Sequence, residues 1–127
     1  MTQGKGGAGK GAGFAKRKVL IPLYGNDVAP RLDLATEVMV STSGEADDRQ
    51  EKIVVMAQSS FEQLCNLVLT EGVDTVICGG IEEEQYQYLV WKRVQVFDSV
   101  IGPWESALTR LHRGELESGD ILYADAE

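Results

Sequence analysis

The sequence predicts one α/β domain with a mixed five-stranded sheet and helices on its faces, in the order βββαβαβα. In the first half, short apolar runs of β type alternate with turn-forming residues, as in a strand meander. From about residue 59 the hydrophobic period changes from 2 to 3.6, which is typical of crossover units that return to a sheet. A length of 127 residues suits one core and is short for two domains.

The first three strands are predicted from alternation and turn signals. Strand one covers Lys18 to Tyr24 and ends at Gly25-Asn26-Asp27, a turn-forming triplet. Strand two covers about Leu34 to Thr42, where apolar and polar residues alternate. The polar segment 43–51 is then a hairpin loop, and Lys52 to Ala57 returns as strand three.

The second half alternates helices and strands. Ser59 and Glu62 form a predicted capping box for the first helix, and Gly72 follows at its C-cap. The remaining elements are strand four (Val73 to Cys78), a helix (Glu82 to Lys92), strand five (Val94 to Asp98) and a last helix that starts near Pro103. Right-handed crossovers favour a mixed sheet for this order.

The two ends of the chain are predicted to be tails. Residues 1–17 are mostly Gly, Ala and Lys, a composition that buries too little apolar area to offset the entropy of ordering. We expect a flexible tail over 1–17, a folded domain over 18–116 and a loose acidic tail over 117–127.

Composition and charge narrow the function classes. The net charge is -8, yet residues 1–18 carry +5, so the rest of the chain carries -13. An acidic body repels a phosphate backbone, and the tail alone would bind nucleic acid weakly and without sequence preference. We expect no specific nucleic-acid partner. No apolar run approaches the roughly 20 residues of a membrane span, no secretory signal is visible, and a cytoplasmic location is expected.

The glycine-rich start nearly spells a phosphate-binding loop. The segment 4–11, GKGGAGKG, is similar to the variant P-loop of the nitrogenase iron protein and related MinD-type ATPases. A working P-loop needs a preceding strand and a Ser or Thr hydroxyl for Mg²⁺, and Gly11 stands in the place of that hydroxyl. The residues favour a tail over a nucleotide site.

A binding site is predicted where strands one, four and five end. If strand four lies beside strand one, the loops 25–31, 79–82 and 99–103 gather at one edge of the sheet, which is the usual ligand position in an open α/β sheet. We call this the switch edge. Cys78 ends a strand beside Gly79 and Gly80, whose missing side chains would let backbone amides approach an anion. The alternative is that Cys78 is a small buried strand-end residue, and Cys65 is predicted to be core.

Several motifs together resemble the dinitrogenase iron-molybdenum cofactor biosynthesis family. They are Val19-Leu20-Ile21-Pro22-Leu23, the segment from Val28 to Ala35, Ile77-Cys78-Gly79-Gly80-Ile81 and the closing helix from Ala107 to Leu116. That family includes NifX-like proteins, the C-terminal domain of NifB and the orange protein of sulfate reducers. Many relatives have His-Phe-Gly where this chain has Arg31-Leu32-Asp33.

The resemblance implies a ribonuclease H-like motif and a NifX-like cofactor-binding domain over about residues 18–116. It implies a non-catalytic carrier of an anionic metal-sulfur cluster, either an iron-molybdenum cofactor precursor or a molybdenum-copper sulfide. The residues expected around that site are Asn26, Arg31, Cys78, Gly79, Gly80 and Trp104, with Cys78 as the candidate metal ligand and Arg31 as a cationic contact.

A second hypothesis is a regulatory or scaffolding module of the same fold that has lost cluster binding. Its motive is the absent histidine together with Glu82, Glu83 and Glu84 near the same edge. Such a module would bind a protein, plausibly a MinD-type or iron-protein-like ATPase or another cluster-biosynthesis protein. An enzyme is not expected, because strand one lacks the acids that a ribonuclease H-like nuclease needs and neither cysteine has a histidine nearby in sequence.

Overall fold

The computed structural model describes residues 17–43 and 49–123. The three helices described there are α1 (Phe61–Glu71), α2 (Glu83–Trp91) and α3 (Trp104–His112). The six strands are β1 (Arg17–Tyr24), β2 (Asp27–Val28), β3 (Glu37–Ser43), β4 (Arg49–Val55), β5 (Thr75–Ile77) and β6 (Gln95–Phe97). They form one mixed sheet, so the predicted α/β class is confirmed.

The strand order is β4-β3-β1-β5-β6, with β2 paired to the end of β1. Strands β3 and β4 run antiparallel to their neighbours, whereas β5 is parallel to both β1 and β6. Strand β5 therefore lies beside β1, and the carboxyl ends of β1, β5 and β6 point the same way. All five predicted strands are present with changed bounds: β1 and β4 begin one and three residues before their predicted starts, and β3, β5 and β6 are shorter than predicted. Strand β4 therefore begins inside the predicted hairpin loop, and β2 is a sixth strand that the prediction lacks.

Two apolar layers hold the helices to the sheet. Leu20, Val38 and Val76 point to the face covered by α1 and α2, where Leu64 and Leu89 are buried. The other face is covered by α3 and includes Val19, Ile21 and Ile77. Because β1 and β5 are covered on both sides, they read as continuous apolar runs instead of alternating ones.

The predicted start of strand two is wrong by three residues. Leu34 lies in a 3-10 turn, Leu32–Leu34, and β3 begins at Glu37. The turn forms because Arg31 bridges to Gly80 and the Leu32 amide donates to the Gly80 carbonyl at 3.0 Å. A contact 48 positions away along the chain, rather than local alternation, sets this boundary.

Helix ends follow local chemistry closely. The N-cap of α1 is Ser60, whose hydroxyl accepts from the Gln63 amide at 3.1 Å, so the predicted capping box at Ser59 lies one residue too early. Gly72 takes a left-handed conformation at the C-cap, as expected. Helices α2 and α3 begin within a residue of the predicted starts.

The folded region extends beyond the predicted boundary at residue 116. Leu122 is fully buried against the α3 face of the sheet, and the Ile101 amide donates to the Asp120 carbonyl at 2.9 Å. The acidic composition of 117–127 suggested a loose tail, but apolar residues in it dock on the loop after β6. The predicted N-terminal tail and its P-loop-like segment lie outside the described residues, except Arg17, which begins β1.

Within the described residues, every helix is too short or too polar to cross a bilayer.

Candidate functional site

The three loops predicted to form the switch edge do meet. The Gly80 amide donates to the Pro30 carbonyl at 2.6 Å, which ties the loop after β5 to the loop after β1. The Ser99 amide donates to the Gly79 carbonyl at 2.9 Å, which ties in the loop after β6. The edge is therefore fixed by backbone hydrogen bonds before any ligand arrives.

Gly79 and Gly80 are needed for this close packing. A Cβ on Gly79 would lie 2.4 Å from the Ala29 carbonyl oxygen, and one on Gly80 would lie 3.1 Å from the Pro30 carbonyl oxygen. The Gly80 amide is already used by Pro30, so it is not available to an anion as the sequence suggested. These glycines let two loops touch, which is a structural reason for their presence.

Arg31 lies at the switch edge, and two carboxylates hold its guanidinium. Its Nε and Nη2 donate to the two Asp33 carboxylate oxygens at 3.2 and 2.8 Å, which is a bidentate pair. Its Nη2 also lies 3.6 Å from Glu82 Oε2. Arg31 is thus a cation shared by Asp33 and Glu82, near the edge where the sequence predicted an acidic neighbourhood from Glu82, Glu83 and Glu84.

Cys78 is fully buried among apolar side chains of the α1–α2 face. Burial raises the pKa of its thiol to about 12, and the Asp98 carboxylate adds to the rise. The thiol is therefore protonated at neutral pH and has no surface on the loops of the switch edge. Burial likewise raises the pKa of Cys65 to about 11, with Lys92 opposing the rise. Both cysteines are free thiols.

Asn26 and Trp104 meet through the backbone. The Trp104 amide at the start of α3 donates to the Asn26 carbonyl at 3.0 Å. Asn26 is exposed, and the half-buried Trp104 packs against the α3-side core. Both residues therefore lie at the switch edge, as predicted, on the side of the loops away from Cys78.

An apolar groove opens beside Arg31, and the sequence did not single it out. It has a volume of about 390 Å³ and lies between the end of β1 and the segment that leads into β3. Tyr24 and Leu34 flank it with side chains that are 75% and 66% exposed. Its lining consists of Leu23, Tyr24, Ala29, Pro30, Arg31, Leu34, Ala35 and Thr36. Leu34 was assigned to predicted strand two, so the groove that it flanks was not predicted.

The C-terminal segment docks beside the loops of the switch edge, and the sequence analysis did not predict this contact. The Tyr123 hydroxyl donates a hydrogen bond to the Asp27 carboxylate, and this bond raises the pKa of the tyrosine. Ile101 and Ile121 pair as a parallel bridge and are 50% and 63% exposed. The three consecutive apolar residues Ile121, Leu122 and Tyr123, which follow an acidic stretch, were the available signal for this docking.

Two acids of the switch edge, Asp33 and Glu82, meet at Arg31. Across 17–43 and 49–123, no three His, Cys, Asp or Glu side chains are close enough to hold a metal ion together. Glu82, Glu83 and Glu84 lie at the start of α2 and are exposed. In the described part of the chain, a ligand of this edge would contact backbone, apolar walls and Arg31.

Comparison with solved structures agrees with the resemblance found in the sequence. A protein assigned provisionally as a dinitrogenase, from Methanocaldococcus jannaschii, superposes with a TM-score of 0.66 at 17% identity over 81% of this chain and 94% of its own. A protein assigned provisionally as NifB, from Thermotoga, gives 0.62 at 18% identity over 80% and 92%. The apo form of the orange protein from Desulfovibrio gigas gives 0.63 at 16% identity over 80% and 92%.

At these identities the likeness establishes a shared fold. No family model matches the sequence, and no curated protein matches it. The resemblance to the cofactor biosynthesis family is thus confirmed by the fold of its structural neighbours.

Proposed function

We propose that this protein is a small non-catalytic carrier that holds an anionic metal-sulfur cluster at the switch edge, in cluster biosynthesis. The observation that supports it best is the apolar groove of about 390 Å³ with Arg31 on its lining. A pocket of this size is within the range of small-molecule sites. The cluster would be an iron-molybdenum cofactor precursor or a molybdenum-copper sulfide, carried as cargo.

The chemistry of the groove fits a large, soft anion better than a small hard one. Sulfide-rich anions spread their charge over polarizable atoms, so contact with apolar walls costs them less hydration than it costs phosphate or sulfate. A guanidinium is itself weakly hydrated and offers several N–H donors in one plane. The Asp33 and Glu82 carboxylates lie against Nε and Nη2 of this guanidinium. The apolar walls and the guanidinium together supply both kinds of contact.

Cluster binding in this proposal relies on Arg31 and the groove instead of a thiolate ligand. Cys78, the candidate ligand from the sequence, is buried with a pKa near 12. To coordinate a metal, its thiol would have to lose a proton and the β5 end would have to open. Arg31 and the groove therefore take the main role in the proposal, and coordination by Cys78 stays a prediction.

Binding of thiometallate tests the function. Apoprotein mixed anaerobically with tetrathiomolybdate and copper, or with isolated cofactor, should give a charge-transfer spectrum that comigrates with protein on gel filtration. Arg31→Ala should weaken this binding and make the remainder less salt-sensitive, whereas Cys78→Ser should matter less. Failure of any cluster to comigrate would overturn the carrier, and a larger loss with Cys78→Ser would restore thiolate coordination.

Three further parts of the proposal have different sources. The ribonuclease H-like motif comes from the resemblance, and a cytoplasmic location is carried over from the expectation based on the sequence. An ATPase or other cluster-biosynthesis protein as partner comes from the P-loop-like segment 4–11.

A second candidate is a protein-binding module of the same fold that holds no cluster. Two observations favour it: Arg31 is shared by two carboxylates, and large apolar side chains are exposed around the switch edge. They are Tyr24, Leu34, Ile101, Ile121 and Tyr123. Exposed apolar residues with a polar rim are typical of interaction surfaces. Purification from the source cell separates the candidates, since a stoichiometric protein without metal supports the module and metal without a partner supports the carrier.

A further inference from the structure

The two carboxylates on Arg31 differ in how firmly they are held. The Asp33 side chain is 18% exposed, lies in the same 3-10 turn and binds through both oxygens. The Glu82 side chain is 61% exposed and approaches with one oxygen at 3.6 Å. The pair with Asp33 is local and bidentate, whereas the contact with Glu82 is longer and its carboxylate is exposed to solvent. Glu82 is therefore the contact that is easier to replace.

The stem of Arg31 is fixed independently of both acids. Its backbone forms a parallel bridge with Gly80, and its Cδ lies 3.3 Å from the point where a Cβ on Gly80 would be. The arginine thus lies across the bare backbone of Gly80 toward the start of α2. An anion that reaches Nη2 of this guanidinium from the groove must compete with Glu82, whose Oε2 lies 3.6 Å from Nη2.

We propose that Glu82 is an internal competitor on Arg31, which an anionic cargo displaces while Asp33 keeps the guanidinium oriented. This inference rests on the proposed function for the identity of the cargo. When a singly charged anion displaces Glu82, one negative charge replaces another, so the electrostatic attraction to Arg31 hardly increases. A dianion brings more charge to the same cation. Glu82 therefore makes the site selective for multiply charged anions.

The first experiment measures anion competition directly on Arg31. The Nε–H signal of Arg31 in ¹⁵N-edited NMR spectra of the full chain is titrated with sodium sulfate and, separately, sodium chloride at matched ionic strength. In Glu82→Gln, the sulfate midpoint should fall about two- to fivefold, the range expected for one exposed ion pair. Chloride should leave the signal of the unsubstituted protein unchanged.

Glu84→Gln is the matched control, because it removes the same charge from the same end of α2, whereas the described ion pairs of Arg31 are those with Asp33 and Glu82. If both substitutions lower the sulfate midpoint equally, the effect is the general field of the acids and the proposal is overturned. Glu82 is also the N-cap of α2, so Glu82→Ser, which keeps a capping oxygen, should reproduce the shift. If Glu82→Gln lowers the sulfate midpoint and Glu82→Ser does not, the cause is damage to the start of α2, and the proposal is overturned as well.

Asp33→Asn tests the second half of the proposal. Loss of the bidentate partner should speed exchange of the Arg31 Nε–H, whereas Glu82→Gln should leave that exchange slow. Equal exchange in both variants would overturn the assigned roles. Tetrathiomolybdate then separates this inference from the proposed function. If sulfate behaves as expected while tetrathiomolybdate binds no variant, the carrier fails and the competition on Arg31 stands.

Discussion

Two segments at the switch edge differ in burial and in the use of their backbone. At the strand end, Cys78 and Gly79 are buried and Gly80 is partly buried, and the backbone groups of this segment tie loops together. The turn segment from Pro30 to Thr36 is partly exposed and lines the groove. The first looks like a ligand site in the sequence because it joins a thiol to two glycines. In the fold, the strand end holds the loops together, and the turn segment from Pro30 to Thr36 presents the surface that a ligand could contact.

The largest expected effect is loss of stability in Gly79→Ala. Its Cβ would lie 2.4 Å from the Ala29 carbonyl, so the loops must separate, at a cost of about 1–3 kcal/mol or more in the free energy of unfolding. Urea denaturation measures this loss. Gly80→Ala, with 3.1 Å to the nearest backbone atom, should lose less. Equal stability of both variants and the unsubstituted protein would remove the supporting role of the strand end.

The next effect concerns the thiols and pH. Burial raises the pKa values of Cys78 and Cys65 to about 12 and 11, above the ordinary value of 9.0. Because the folded pKa values are raised, their contribution to stability is full below about pH 9 and is lost as pH rises toward 12. Near pH 8, an aromatic disulfide reagent should react slowly with the folded protein and quickly in denaturant. Rapid reaction of Cys78 without unfolding would show that the strand end opens.

The smallest effect on stability is expected on the groove side. Leu34 is 66% exposed, so Leu34→Ala should change the free energy of unfolding by no more than about 0.5 kcal/mol. It should nevertheless weaken thiometallate binding, because it removes part of the apolar wall. Leu69→Ala is the control, since Leu69 is 57% exposed on α1 and does not line the groove. Equal binding by both variants would separate Leu34 from the site.

Much of the fold could be predicted because local signals suffice where packing agrees with them. The apolar run in β1, the Gly72 C-cap and the starts of α2 and α3 all follow from residue type and period. The meeting of the three loops was predicted on the condition that β5 lies beside β1, and the structure fulfils that condition. The identity of the strand-end residues at this edge was thus available from the sequence.

The sequence by itself determined the order of the elements and the residues that gather at the switch edge, because hydrophobic period and turn chemistry act over a few neighbouring positions. Only the tertiary structure decided what those residues do there. Cys78 is buried away from solvent, and the Gly80 amide donates to the Pro30 carbonyl. The Arg31 guanidinium is paired with Asp33 and Glu82. The tertiary structure also places Leu34 in a 3-10 turn instead of the predicted strand, where it flanks the groove. Solvent access and hydrogen-bond partners depend on segments far apart along the chain, so no local pattern could specify them.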